Sequence, residues 1–251
     1  MLRGVCYLVT QTTTVLGLIG AFALSGAAEV RAQQPSPSRP GFINVNVGAQ
    51  PQRRTIQTSE SFPLYDETAT VTSTQPIQGG GMVDVSAGYR VWRRVALGVG
   101  LSSVIRSSGG DAGITVSIPD PSFFDRPTTA TGNTSGLDRS ELGVHLQAVW
   151  QTPVTDKFDV SFSAGPSFIH LTQEVATAAV PAGTKNINVT QKSESGTALG
   201  INVGVDGSYM FQPQFGAGVF LRYAGGSVDL PSVSNVKVGG FQGGIGLRFR
   251  F

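Results

Sequence analysis

The sequence predicts an all-β protein, an eight-stranded antiparallel up-and-down transmembrane β-barrel with long extracellular loops and short periplasmic turns. Three observations predict it. Eight segments between residues 41 and 251 alternate apolar with small or polar residues, the period of a strand with two unlike faces. The connections between them alternate short and long. The polar face is built from Gly, Ser, Asn and Gln with isolated charges, and it has no Lys/Glu ladder of the kind a water-bathed surface carries.

The first segment sets Ile43, Val45, Val47 and Ala49 against Asn44, Asn46 and Gly48. The second sets Val83, Val85, Ala87, Tyr89 and Val91 against Asp84, Ser86, Gly88 and Arg90. In the third, Val95, Leu97, Val99 and Leu101 oppose Ala96, Gly98, Gly100 and Ser102. Leu142, Val144, Leu146, Ala148 and Trp150 mark the fourth, against Glu141, Gly143, His145 and Gln147. Phe158, Val160, Phe162 and Ala164 mark the fifth, against Asp159, Ser161 and Ser163. Leu199, Ile201, Val203, Val205, Tyr209 and Phe211 form the apolar face of the sixth, backed by Asn202, Gly204, Asp206 and Ser208. The seventh has Phe215, Ala217, Val219, Leu221 and Tyr223 against Gly216, Gly218, Phe220 and Arg222. The eighth runs from Gly239 to the terminal Phe251, with Phe241, Ile245, Leu247, Phe249 and Phe251 on one face and Gln242, Arg248 and Arg250 on the other.

No charge falls on the apolar face of any segment. A soluble sandwich shares the period of two, so the opposite face decides, and its composition reads as a narrow polar lumen. Tyr89, Trp92, Trp150, Phe158, Tyr209, Phe211, Phe215, Phe249 and Phe251 lie near strand ends on the short-turn side, as an interfacial girdle does. The short connections are Trp92–Arg94, Gln151–Lys157 and Gln212–Gln214; the long ones cover about 50 to 78, 107 to 137, 173 to 196 and 225 to 235. Pro166 lacks a ladder donor, which places a bulge there and leaves the facing of Phe168, Ile169 and His170 open.

Residues 1–32 have the form of an export signal: a basic start at Arg3, an apolar core from Val15 to Leu24, and the small-x-small pattern Val30-Arg-Ala32. The core falls short of the roughly 20 residues a membrane helix needs. Residues 33–40 are Pro/Ser-rich and read as a short periplasmic tail, leaving 41–251 for the barrel. The single cysteine, Cys6, lies in the signal, so a disulfide, thiolate or Cys-metal site is not expected in the mature chain. With 14% charged residues and a net charge of +2, the composition excludes an acidic disordered chain and a nucleic-acid binder. No cofactor is implied, and no His and acidic residues share metal-ligand spacing.

In strand count, turn asymmetry and terminal Phe, the mature chain resembles the small eight-stranded bacterial outer-membrane barrels of the OmpA, OmpX and Ail type. The texture is closest in the hairpin Gly88–Gly100 and the ending Gly244–Phe251. The resemblance implies residence in the Gram-negative outer membrane and contact with its lipids and lipopolysaccharide. It also implies delivery by the barrel assembly machinery, with Ile245, Leu247, Phe249 and Phe251 standing where that class carries its assembly signal. The peptidoglycan-binding domain of the longer members is not expected.

The residues able to carry chemistry are inward-facing: Asp84, Arg90, Arg106, Glu141, His145, Asp159, Asp206, Arg222, Arg248 and Arg250. A barrel of eight strands is just wide enough for side chains to fill. These groups are therefore expected to pair and satisfy buried charge, with a gate or proton-sensitive network as the sharper alternative. Arg90, Arg248, Arg250 and Asp159 are expected near the periplasmic mouth. Asp84, His145, Asp206 and Arg222 are expected nearer mid-depth, with Arg222 facing Asp84 and Asp206.

A lipid A-modifying hydrolase on such a barrel would need a lipid-facing serine beside a histidine and an acid. The nearest arrangement is His170-Leu-Thr-Gln-Glu174, with Thr172 in the serine's place. No catalytic residue is therefore assigned. Ser61–Tyr65 and Ile118–Phe124 bring apolar residues into the long loops, where they either meet an unidentified surface partner or lipopolysaccharide, or pack on each other as a cap or as extended strands above the membrane. Arg53, Arg54, Arg126, Arg139, Lys185 and Lys192 stand in the loops where lipid phosphates are within reach. The expected role is structural or interactive, in envelope integrity or adhesion, and the alternative of another class is a narrow diffusion pore.

Overall fold

The computed structural model describes residues 39–181 and 186–251, and within them the side chains of all but 106–110. The expected signal at 1–32 and most of the tail at 33–40 lie outside the described residues. Ten strands follow in order: β1 (Gly41–Gln50), β2 (Arg54–Leu64), β3 (Glu67–Ile77), β4 (Gly80–Trp92), β5 (Val95–Ile118), β6 (Thr128–Pro153), β7 (Phe158–Ala179), β8 (Asn188–Met210), β9 (Phe215–Val228) and β10 (Val236–Arg250).

All pairings are antiparallel. β1 pairs with both β4 and β10, and from there β5, β6, β7, β8 and β9 complete a closed ring of 8 strands. Those ring strands carry the eight segments read from the sequence. Closure is completed by the last residue, whose N–H and C=O both bond Gly41 across the seam, at 3.0 and 2.9 Å.

The alternation decides what faces where. Val47, Leu97, Val99, Leu146, Val203, Val219 and Ile245 are exposed on the outside of the ring, while Asn46, Asp84, His145, Asn202, Arg222, Gln242 and Arg248 are buried inside it. A closed ring whose outside is apolar and whose inside is polar is a lipid-facing barrel, because closure leaves no open sheet edge and only hydrocarbon rewards that exterior. From Leu199 to Tyr209 on β8, at about 3.3 Å per residue and a tilt of about 40°, the apolar band rises about 25 Å, the height of a bilayer core in this class. Edge-to-face contacts Phe215–Phe249 at 5.0 Å and Tyr209–Phe211 at 5.6 Å mark the girdle on the short-turn side.

The long connections are strands rather than loops for most of their length. β2 and β3 form a hairpin inside the first, and β3 adds to the upper part of β5 through Thr70–Thr74 and Gly113–Ser117. β5 and β6 stay paired up to Ile118 and Thr128, and β7 and β8 up to Ala179 and Asn188. The cause is legible in residues such as Gly113-Ile-Thr-Val-Ser-Ile118, where β-branched residues alternate faces. Val71, Ile114, Val116 and Ile118 from the β3–β5 side bury against Ala176 and Ala178 of β7, with Val180, Ile187 and Val189 packed alongside. The result is a small extracellular sandwich continuous with the barrel wall.

Pro166 makes no bulge. The pairs His145–Ser167 and Ala148–Ala164 flank it on β6 in one unshifted register, and Pro166 itself pairs with Ile201 of β8. Its missing N–H faces β6, so only the bonds there are lost, and Phe168 and His170 point outward while Ile169 points in. The Asn202 side chain, 3.0 Å from the Gly165 carbonyl and 3.1 Å from that of Pro166, supplies a donor where the ladder is broken. Gly239 is required where it stands: its φ is 71°, and a Cβ there would lie 2.0 Å from the Ala224 carbonyl.

Candidate functional site

The lumen is filled in layers. At the periplasmic end Phe42, Ala96 and Val149 pack across it. At the extracellular end Ile169, Leu171, Ala198, Val228, Leu230, Val236 and Val238 form a second apolar layer beneath the sandwich. Between them lies a column of paired charges.

Arg250 pairs with Asp159 at 2.6 Å, and Arg90 donates to Gln151 at 2.8 Å, both at the periplasmic mouth. Arg248, almost fully buried, forks onto Asp206 and donates to Asn46 at 2.7 Å. Asn46 donates to Asp84 at 2.9 Å, and Asp84 pairs with Arg222 at 2.8 Å. Arg222 donates to Gln242 at 2.8 Å, Gln242 to Gln50 at 2.7 Å, and Gln50 to Glu141 at 3.2 Å. Glu141 accepts from Arg139 at 2.8 and 3.0 Å and from the Gly239 N–H at 2.9 Å. Arg139 also donates to Gln173, which reaches Gln75 of β3 at 3.3 Å. The column is therefore unbroken from Asp206 into the extracellular sandwich. Every carboxylate in it faces a guanidinium, the arrangement in which buried charge is tolerable.

The expected pairing of Arg222 with Asp84 is present, but Asp206 belongs to Arg248. Arg139 lies outside the expected set. Its loop position suggests a surface cation within reach of lipid phosphates, but Arg139 is buried and occupied by Glu141. Its position two residues before Glu141 puts both on one strand face, and that spacing is the signal that finds it. The Arg106 side chain and all of Lys185 lie outside the described residues.

His145 is fully buried, bonded to hydroxyls rather than to a charged partner. Its ring nitrogens lie 2.8 Å from the hydroxyls of Ser102 on β5 and Ser167 on β7. Ser167 also takes a bond from Asn202 at 2.8 Å, so the imidazole ties β5 to β7 across the strand between them. A cavity of about 60 Å³ remains in the periplasmic half, lined by Asn44, Asp84, Ser86, Gln147, Ser163 and Arg222, with room for a few waters.

On the outer wall, His170, Thr172 and Glu174 share one face of β7. The His170 ring meets the Thr197 hydroxyl at 3.0 Å, the Glu174 carboxylate takes the Asp138 N–H at 3.0 Å, and no hydrogen bond joins either to Thr172. The parts are adjacent without forming a relay. Among the loop residues, Phe62 and Leu64 pack against the sandwich core and Ile118 is buried, whereas Phe123 and Phe124 stay exposed. Arg126 lies over the Phe123 ring at 5.7 Å. Beneath the β9–β10 connection, Glu194 takes bonds from the Ser232 N–H at 3.1 Å and its hydroxyl at 2.7 Å, with Lys192 at 3.2 Å. Burial opposes its ionisation, but those donors outweigh burial and hold the carboxyl below the usual glutamate value.

Ile245 and Leu247 face lipid beside the half-buried Phe249, whose ring meets Phe215. The Phe251 ring covers Gly41, where a Cβ would come within 2.4 Å of it.

No protein-family model matches the chain, and no characterised protein matches it in sequence. Solved structures do match. Neisserial surface protein A is 13% identical with a TM-score of 0.41, over 84% of this chain and 97% of that one. The outer membrane protein OprG of Pseudomonas aeruginosa is 10% identical with a TM-score of 0.46, over 84% and 96%. Ail of Yersinia pestis is 11% identical with a TM-score of 0.38, over 84% and 99%. These are small outer-membrane barrels, and the closed ring with its apolar exterior places the present chain in the same architecture. The closed ring of antiparallel strands, apolar outside and polar inside, makes the chain an integral β-barrel of the kind that crosses a membrane with its strands.

Proposed function

We propose that the protein is a closed, non-enzymatic barrel whose work is done at the cell surface, where it holds the extracellular sandwich as an interaction module and ties it rigidly to the membrane. The observation that carries this reading is the continuity of the polar column, from Asp206 through Arg222 and Glu141 to Gln75 of the sandwich. It fills the space a pore needs and couples the barrel to the module above. On β5, Ile105 to Ile118 rises about 30 Å beyond the lipid edge, at about 3.3 Å per residue and a tilt of about 40°. A height of that order supports a module that reaches past the membrane surface. Delivery by the barrel assembly machinery and contact with lipopolysaccharide belong to the same proposal, supported by the terminal strand and by the lipid-facing wall.

The test compares cells displaying the whole chain with cells displaying a chain whose residues 54–77 are replaced by a short turn. Adherence to mucin-coated and to bare surfaces is measured, with heat-modifiable gel mobility confirming equal amounts of folded barrel. Adherence that depends on the hairpin supports the reading. Equal adherence of the two strains, no better than cells without the protein, counts against it.

A further inference from the structure

The outward face of the extracellular sheet carries a regular array. Along the outermost row, Ser61 pairs with Thr70, Thr70 with Ser117, and Ser117 with Thr129. In the next, Ser59, Thr72, Thr115 and Thr131 stand opposite one another in the same way. In the third, Gln57, Thr74, Gly113 and Asn133 do so. The other face of these strands is settled by Val71, Ile114 and Val116, which are buried in the sandwich core. The rows therefore look outward, where their residues are exposed or half-exposed. None of them is charged.

The array has a repeat of about 4.8 Å across strands and about 6.8 Å along them. Each Thr or Ser hydroxyl both donates and accepts, and β-branching holds the threonine hydroxyls in few rotamers. Such a face is pre-organised for a ligand that repeats hydroxyl groups. The three rows carry no Lys or Arg, and the cation at their outer end, Arg126, lies over the Phe123 ring, which argues against sulfated or phosphorylated polymers, since those are drawn by clustered positive charge. Its extent, about 20 Å on each side or about 400 Å², is half of what each partner buries in a standard protein complex, which argues against a second copy of the chain.

At the outer end of the same strands, Phe123 and Phe124 are 59% and 79% exposed. Their loop is fixed by the Asp125 N–H donating to Glu67 at 2.8 Å and the Ser122 N–H to Asp120 at 2.9 Å. An aromatic face attracts the partly positive C–H groups of a sugar ring.

We propose that this face binds a neutral polysaccharide. The proposal rests on the reading of the sandwich as an interaction module and gives that module its ligand class. Each hydroxyl contact replaces one with water and is weak by itself, so affinity comes from repetition along the polymer and rises with its length.

The experiment uses the purified full-length barrel in lipid nanodiscs, with dextran, mannan and N-acetylglucosamine oligomers of graded length as probes and heparin as the polyanion. The variant T72V/T115V/T131V removes three hydroxyls while keeping β-branched shape and strand preference, and F123A/F124A tests the aromatic end without touching the sheet. The expected result is binding to at least one neutral polymer, tighter for longer chains, weakened about tenfold or more by the triple valine variant and also weakened by F123A/F124A. Absence of binding to every neutral polymer, retention on heparin alone, self-association of the barrel, or neutral binding indifferent to both variants would overturn the proposal. Hairpin-dependent cell adherence without neutral-polymer binding would overturn it alone and leave the interaction module standing.

Discussion

Replacing Arg222 by alanine should destabilise the barrel by about 3 to 5 kcal/mol, the usual cost of breaking a buried ion pair from one side. Arg222 and Asp84 are 5% and 3% exposed and 2.8 Å apart. Asn46 occupies one Asp84 oxygen at 2.9 Å, and the other is held by the guanidinium alone. The alanine variant would strand that oxygen and release Gln242 from its 2.8 Å bond. Because Arg222 lines the cavity of about 60 Å³, water entering the enlarged space offsets part of the loss and favours the lower end of the range. R222M/D84N removes both charges, so it should recover most of the stability. Urea unfolding in liposomes, followed by the fluorescence of Trp92 and Trp150, measures all three proteins. A loss under about 1 kcal/mol for R222A, or a double variant no better than the single one, would refute the argument that the pair neutralises an otherwise costly buried charge.

Arg at Val203 should cost about 2 to 4 kcal/mol because that position faces mid-bilayer, and a lipid-soluble probe should label V203C better than N202C; the reverse order would invert the assignment of β8. Deleting Phe251 removes both backbone bonds to Gly41 and the ring over it, so the fraction of heat-modifiable, folded barrel should fall, and unchanged folded yield would contradict the seam. The Glu194 carboxyl is held below its ordinary value, so its stabilising contribution is complete above the unfolded value of about 4.3 and lost as pH falls through the folded one. Unfolding of E194Q should accordingly vary less than wild type between pH 6 and 3. Replacing Asn202 by leucine should cost about 1 to 3 kcal/mol by leaving buried carbonyls beside Pro166 without a donor, and a neutral effect would show that the ladder gap needs none.

Facing in the ring strands was legible because a strand buried against lipid on one side and charge on the other cannot slip by one residue without exposing Arg248 or Asp84 to hydrocarbon. The same logic placed His145 inward. Pro166 suggests a bulge in sequence because a missing N–H is often accommodated by an extra residue, yet the register through it is unshifted. In an antiparallel strand successive N–H groups point to opposite neighbours, so one proline can break a single ladder and keep its register. The β2–β3 hairpin and the upper halves of β5 to β8 read in sequence as long connections whose extended strands are one possibility among others, because their polar face is threonine and their apolar face is interrupted by Ala and Gly. Tertiary packing around Ile114 and Val116, invisible in a local pattern, turns that weak alternation into strand. The ion-pair partners were legible as a set but not as pairs, since strand stagger decides whether Arg222 or Arg248 meets Asp206.

The claim that the barrel is shut is tested most directly by conductance of the purified full-length protein in planar lipid bilayers. With Arg248, Arg222 and Arg139 each engaged across the lumen and apolar layers above and below, no stable channel should open. Leak should appear when R222A enlarges the central cavity. Reproducible channels of high conductance in the unaltered protein would contradict a filled lumen and make the protein a diffusion pore.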